Sequence, residues 1–306
     1  MKESCCQFGP QRQLAGIITE PSERAARLGF VLVSAGITPK HGPFRLYAEL
    51  ARRLAEEDIA TLRFDLGGIG DSAQSSVQAP LKQRTELEIR AAVDYLAEQR
   101  GLDAVALGGL CSGAEDAFRG AAVDDRVRAV VLIDPFAYRT PGWAWRHALY
   151  RLGRRTLRAL GLYSPPIASK PPSDEQRAKL VAYKYMDRAE STRILEALLR
   201  RRVSAHFVYT GGMRDLFNHE RQLHAMFGGL ELGSSVTLDY FPHLDHTQLL
   251  ADDRHALTEA IARRLSETVR IEARTRANRE TAPPQGPSSA FRSASAGSVR
   301  GSRSGP

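Results

Sequence analysis

Seven short apolar runs, many of their residues β-branched, recur at residues 14–19, 28–34, 59–64, 103–109, 127–134, 204–210 and 235–240. Several are continuous rather than alternating, Ala129-Val130-Val131-Leu132-Ile133 most clearly, which predicts strands covered on both faces. Longer amphipathic runs lie between them, at 44–57, 86–99, 113–123, 219–227 and 246–269. In the first of these, Leu46, Leu50 and Leu54 share one helical stripe. Alternation of this kind predicts an α/β fold, a mostly parallel sheet with helices on both faces. Right-handed crossovers then gather the reactive loops at the carboxyl ends of the strands.

The spacing breaks once. About seventy residues separate the strand ending near Asp134 from the one starting near Ser204. This stretch carries Trp143, Trp145, Tyr150, Leu152, Leu157 and Leu160 at helix-like spacing, and further helical runs near 175–186 and 190–202. We expect a helical cap over residues 137–203, inserted before the acid-bearing strand, with 1–136 and 204–273 forming the core. An ordinary helical layer against the sheet is the competing expectation. The net charge of +8 concentrates in two places: residues 137–205 hold 15 Lys/Arg against 5 Asp/Glu, and residues 274–306 hold six Arg against Glu280. The second stretch is rich in Ser, Gly, Pro and Ala and is expected to be a disordered basic tail.

Several classes are excluded as expectations. No run approaches the length of a membrane span, and the first residues, MKESCCQFGPQRQ, lack the apolar core of a secretory signal. Three cysteines make no disulfide framework, and a free thiol at Cys111 fits a reducing cytoplasm. No His/Cys/Asp cluster has metal-ligand spacing, so neither metal nor cofactor is expected. No module for specific nucleic-acid recognition is present.

The passage Val105-Ala106-Leu107-Gly108-Gly109-Leu110-Cys111-Ser112-Gly113-Ala114 carries the chemistry. An apolar strand enters a small-x-nucleophile-x-small turn, and a helix follows. Residues two before and two after the nucleophile press against backbone and must be small; Gly109 and Gly113 are. Cys111 then projects at the amino end of a helix, where the dipole and the next amide stabilise negative charge. Centring the turn on Ser112 puts Leu110 at the first small position, where it should clash. An inert buried cysteine is the bland alternative.

Downstream, strand 205–210 opens into Gly211-Gly212-Met213-Arg214-Asp215, and strand 236–240 leads to Phe241-Pro242-His243-Leu244-Asp245-His246-Thr247. The chain order nucleophile, acid, histidine assigns His246 as general base and Asp215 as its orienting carboxylate. His243 competes with His246, and Asp134 and Glu220 compete with Asp215. Asp245 is expected to cap the last helix. His206 reads as structural, and His219, His224 and His255 as helix-surface residues. The oxyanion hole is expected from the amides of Ser112 and of the turn after strand 28–34, near Gly36 or Ile37.

These motifs resemble the α/β-hydrolase superfamily over roughly residues 13–265. The resemblance rests on Ser34-Ala35-Gly36, on the stretch from Leu62 to Ser72 that includes Arg63-Phe64-Asp65 and Gly68-Ile69-Gly70-Asp71-Ser72, on the Cys111 elbow and on Asp245-His246-Thr247. No complete dinucleotide-binding glycine motif is present in that stretch. More narrowly, Gly109-Leu110-Cys111-Ser112-Gly113-Ala114 resembles the elbow of exosortase-associated and serine-aminopeptidase-like hydrolases. Arg45-Leu46-Tyr47 and Tyr209-Thr210-Gly211-Gly212-Met213 are similar to these relatives as well. The resemblance implies a cytoplasmic acyl hydrolase acting on an ester or thioester, an acyltransferase using the same cysteine, or a binding-only protein of the same fold. Trp143, Arg146 and Tyr150 are the expected substrate-binding residues, with arginines 151, 154, 155 and 158 meeting an anionic handle such as coenzyme A or a carrier protein.

Overall fold

β3 (Leu28–Val33), β4 (Ile59–Phe64) and β5 (Val105–Leu110) bury every residue, as continuous apolar runs require. A computed structural model describes residues 1–22, 25–162 and 186–281, and these strands form the middle of its eight-stranded sheet. β1 (Lys2–Phe8), β2 (Leu14–Glu20), β6 (Val127–Ile133), β7 (Ser204–Thr210) and β8 (Val236–Phe241) complete it in the order β1-β2-β4-β3-β5-β6-β7-β8. Only the pairings of β2, with β1 and with β4, are antiparallel. β1 has no counterpart among the sequence-predicted strands. Its residues, KESCCQF, are mostly exposed or half-buried at the sheet edge, so no apolar run marks it.

Alternate residues of each central strand serve opposite layers. Val31, Val33 and Leu107 pack with α2 (Leu81–Arg100) and α3 (Ser112–Val123) through Ile89, Leu96 and Phe118. Phe30, Leu32 and Ala106 pack on the other face with α1 (Leu46–Ala55) and α7 (Ala251–Thr281) through Leu50, Leu54, Leu257 and Ile261. Between α3 and α7 come α4 (Pro141–Ala159), α5 (Arg188–Arg200) and the short α6 (Gln222–Met226). After β3 the chain crosses to β4 and then returns past β3 to β5. The loops leaving β3 and β5 therefore diverge, opening the crevice where such sheets bind ligands.

The stretch expected to be a cap divides. Helix α4 is capped by Thr140, whose hydroxyl accepts from the Trp143 amide, and Trp143 is its only buried residue. Helix α5 instead buries Leu195 and Leu198 completely in the main core, against α3 and β7. Each such side chain contributes about 1.5–3 kcal/mol, so α5 packs into the layer that covers the sheet. The helical run expected near 175–186 falls almost wholly outside the described residues. Helix α7 begins at Ala251 rather than 246 and continues to Thr281, past the expected start of the tail at 274; residues 282–306 lie outside the description. Among the described residues, no helix is long and apolar enough to cross a membrane.

Candidate active site

Cys111 joins β5 to α3 with φ 53° and ψ −120°, a left-handed conformation that a side-chain-bearing residue adopts only where its surroundings enforce it. Its amide donates to the Ile133 carbonyl at 2.9 Å, and its carbonyl accepts from the Ala114 and Glu115 amides. The flanking glycines are sterically required. A Cβ on Gly109 would lie 2.6 Å from the Gly113 carbonyl carbon, and one on Gly113 would lie 2.5 Å from the Val33 carbonyl oxygen. The small-x-Cys-x-small spacing thus has the physical cause inferred from sequence.

His246 lies on the loop after β8. Its Nδ1 donates to Asp134 Oδ2 at 2.8 Å, since a carboxylate can only accept. Asp134 first, and the neighbouring Cys111 second, push the imidazole pKa from 6.5 up to about 10. Glycines let this loop close down: a Cβ on Gly212 would lie 2.5 Å from the His246 amide nitrogen, and one on Gly211 would lie 2.2 Å from the Pro242 carbonyl oxygen.

The carboxylate beside His246 is Asp134, not Asp215. Asp134 follows β6 at φ 46°, and its amide donates to the Val208 carbonyl of the neighbouring strand. Its carboxylate has no exposed surface and accepts from the Thr210 amide at 2.7 Å and the Thr210 hydroxyl at 2.6 Å. Asp215 is carried outward by the turn Gly211–Met213 and is exposed, its carbonyl accepting from Arg139. Of the other candidates, His243 and Glu220 are exposed.

The turn expected to supply oxyanion donors packs against the start of α3. The Gly36 amide donates to the Ser112 hydroxyl at 2.9 Å, while Ile37 is 89% exposed. The Ser112 hydroxyl thereby fastens the turn after β3 to the start of α3. The Ser112 amide is the first of α3, a position without an intrahelical acceptor.

Sequence reasoning missed Lys40 and Arg214. The Lys40 ammonium bridges buried Asp65, at 2.6 Å, and Asp71, at 2.5 Å. Gly70 wraps this carboxylate so closely, at φ 51°, that a Cβ would lie 2.3 Å from Asp65 Oδ2. The glycine-bearing loop therefore encloses an aspartate of the chain itself. Arg214 donates to the Tyr150 hydroxyl at 3.1 Å and to the Pro242 carbonyl at 2.7 Å, tying α4 to the His246 loop.

Trp143 donates its indole N–H to the Arg214 carbonyl and stacks on His147, which anchors α4 to the turn after β7. Arg146 lies over the Trp145 ring and donates to the Gly142 carbonyl. His206 is buried between Thr237 and Asp239, as a structural residue. His224 and His255 are exposed, whereas His219 is half-buried on a loop and packs on Gly142 and Arg146. Asp245 caps the turn through the Thr247 and Leu249 amides, not the helix. Among the described residues, no group of three or more His, Cys, Asp or Glu is arranged to hold a metal ion.

No known protein family matches the sequence, and no curated protein matches it. Solved structures do. The α/β hydrolase GrgF from Penicillium sp. sh18 is 18% identical, with TM-score 0.55 over 89% of this chain and 99% of that one. The Pyrococcus furiosus esterase PF2001 is 12% identical, with TM-score 0.58 over 88% and 91%. XC6422 from Xanthomonas campestris, an α/β serine hydrolase without a lid, is 16% identical, with TM-score 0.52 over 89% and 95%. The chain has the α/β-hydrolase fold.

Proposed function

We propose that this protein is an acyl hydrolase, an esterase or thioesterase, that works through an acyl-cysteine on Cys111. The observation carrying this reading is that His246, after β8, is hydrogen-bonded to Asp134, after β6, and has Cys111, after β5, beside its imidazole. The proton leaving the sulfur resides on His246, which Asp134 keeps in the Nδ1–H tautomer. Sulfur attacks the acyl carbonyl carbon, and the carbonyl π pair moves to oxygen, where the Ser112 amide stabilises it. As that pair returns, the carbon–oxygen or carbon–sulfur bond to the leaving group breaks, and the leaving group takes the proton from His246. Water, deprotonated by His246, then attacks the thioester; the acid departs and the thiol is restored.

XC6422 is a serine hydrolase, whereas the elbow residue here is cysteine. A thioester intermediate is more reactive toward amines and thiols than an oxygen ester, so the acceptor is part of the test. We read Gly109-Leu110-Cys111-Ser112-Gly113-Ala114 as the elbow of an exosortase-associated hydrolase and the compartment as reducing. The substrate carries an anionic handle, on coenzyme A or a carrier protein, matched to the arginines of α4.

Intact-mass analysis after incubation with a panel of activated esters and acyl thioesters tests the reading. The wild-type protein gains one acyl group on Cys111 and releases it as the free acid. Cys111→Ala gains none. An adduct retained in Cys111→Ala would overturn the assignment, and no adduct with any donor would leave the protein a binding role. Release only in the presence of an added amine, alcohol or thiol would make it an acyltransferase.

A further inference from the structure

The pairing of β3 with β5 stops two residues short of Cys111. Its last register pair is Val33 with Gly109. The ladder pattern, set by the Gly29 amide donating to the Ala104 carbonyl, would next join the Leu110 N–H to the Val33 carbonyl. A tyrosine hydroxyl stands between them instead. The Leu110 amide donates to the Tyr47 hydroxyl at 2.7 Å, and that hydroxyl donates to the Val33 carbonyl at 3.1 Å. The strands spread because the elbow needs the room: the backbone of Gly113 crowds the same Val33 carbonyl, which a Cβ there would meet at 2.5 Å. Without the hydroxyl, two buried backbone groups beside the nucleophile would have no partner.

The chain spends backbone conformation to put Tyr47 there. Gly42, Phe44 and Arg45 all have positive φ, at 70°, 45° and 70°, and the latter two carry side chains that disfavour it. The Tyr47 amide donates to the His41 carbonyl. Its ring lies so close to Gly42 that a Cβ there would be 2.9 Å away. The side chain is 1% exposed, which fits a fixed strut rather than a group that meets substrate.

We infer that Tyr47 is a positioning residue of the acyl-transfer site, its hydroxyl inserted between the splayed ends of β3 and β5 to hold Cys111 in its left-handed conformation. Cys111 is then restrained from both sides. Its own amide is tied to β6 through Ile133, and the amide before it is tied to β3 through Tyr47. The same hydroxyl joins the elbow to the strand that leads into the Gly36 turn. Its function rests on the acyl-cysteine reading; its geometry does not.

The test compares Tyr47→Phe with the wild-type protein in three measurements. Leu110 amide exchange by NMR should accelerate at least tenfold in the variant. The acylation rate from an activated ester should fall at least tenfold in kcat with KM within twofold. Alkylation of Cys111 by iodoacetamide should change at least threefold relative to Cys5 in the same molecule, an exposed thiol that serves as internal reference. A merely structural tyrosine would lower the melting temperature and leave the last two ratios as they were, and that result overturns the inference. Should Tyr47→Phe not fold, Gly42→Ala, which displaces the ring while keeping the hydroxyl, must reproduce the slower acylation; an unchanged rate overturns the inference. Should the wild-type protein form no acyl adduct, the functional reading fails by itself. The exchange and alkylation measurements then still decide Tyr47, unchanged values overturning its positioning role.

Discussion

Asp134 and His246, 112 residues apart in the chain, meet through a 2.8 Å hydrogen bond between carboxylate and imidazole. Because Thr210 occupies the rest of the carboxylate with an amide and a hydroxyl, Asp134 cannot turn away from the ring without leaving buried polar groups unpaired. Asp134→Asn keeps the shape and removes the charge, and in a triad such a change lowers kcat by about 10⁴-fold. Asp215→Asn should leave kcat within about twofold, a margin that matches ordinary surface changes. Steady-state hydrolysis of an activated ester by the two variants separates the assignments.

The pH dependence of stability follows from the same contact. The folded-state pKa of His246, about 10, lies above its value of 6.5 without partners. A raised pKa on a base means that the folded state binds the proton more tightly. The stability it contributes is therefore fully present below about pH 6.5 and is lost as pH rises through about 10. Urea midpoints should fall between pH 6.5 and 9.5 in the wild-type protein, and fall less in His246→Gln. Parallel declines in the two proteins would mean that other groups set the slope.

The elbow was legible because its constraint is steric and local: only small residues fit two positions either side of Cys111, whatever the rest of the chain does. The carboxylate that meets His246 was not, because Asp134 and Asp215 both follow strands at the same edge of the sheet. What separates them is the left-handed turn at Asp134 and the outward 3₁₀ turn after Thr210, neither of which leaves a pattern in residue types. The same holds for Gly36, whose amide donates to a hydroxyl 76 residues away. Helix α5 was ambiguous for another reason. An amphipathic run shows that it has an apolar face, but not whether a sheet or a ligand meets that face.

The glycine after the nucleophile gives a stability prediction. In Gly113→Ala the new methyl would lie 2.5 Å from a backbone carbonyl of β3, which cannot rotate aside as a side chain could. Overpacking of this kind costs about 1–3 kcal/mol. Gly153→Ala, with no atom within 4 Å of the added carbon, is the matched control and should be neutral or slightly stabilising through helix propensity. Urea denaturation of the pair checks both.

Ser112→Ala separates the hydroxyl that braces the turn from the sulfur that reacts. Losing the acceptor frees the Gly36 amide of an exposed turn, which water can then pair, so the change should cost little stability. Acylation should slow, by roughly tenfold for a 1.4 kcal/mol loss in the transition state, yet the adduct should still map to Cys111. An adduct that disappears in Ser112→Ala while Cys111→Ala retains it would transfer the nucleophile to the serine.

The arginines of α4 give the last prediction. Arg151, Arg155 and Arg158 are exposed along a helix that holds no acidic residue from Pro141 to Ala159. Charges on such a surface attract an anionic substrate over a distance that shrinks from about 30 Å at 0.01 M salt to about 10 Å at 0.1 M. For an acyl-coenzyme A, kcat/KM should therefore fall several-fold across that range, chiefly through KM. Hydrolysis of a neutral ester should not change with salt, because it has no charge for the helix to attract. Replacing the three arginines with glutamine should make the two substrates respond alike. If the acyl-coenzyme A rate is flat with salt in the wild-type protein, the arginines face solvent and the substrate is recognised by its acyl group alone.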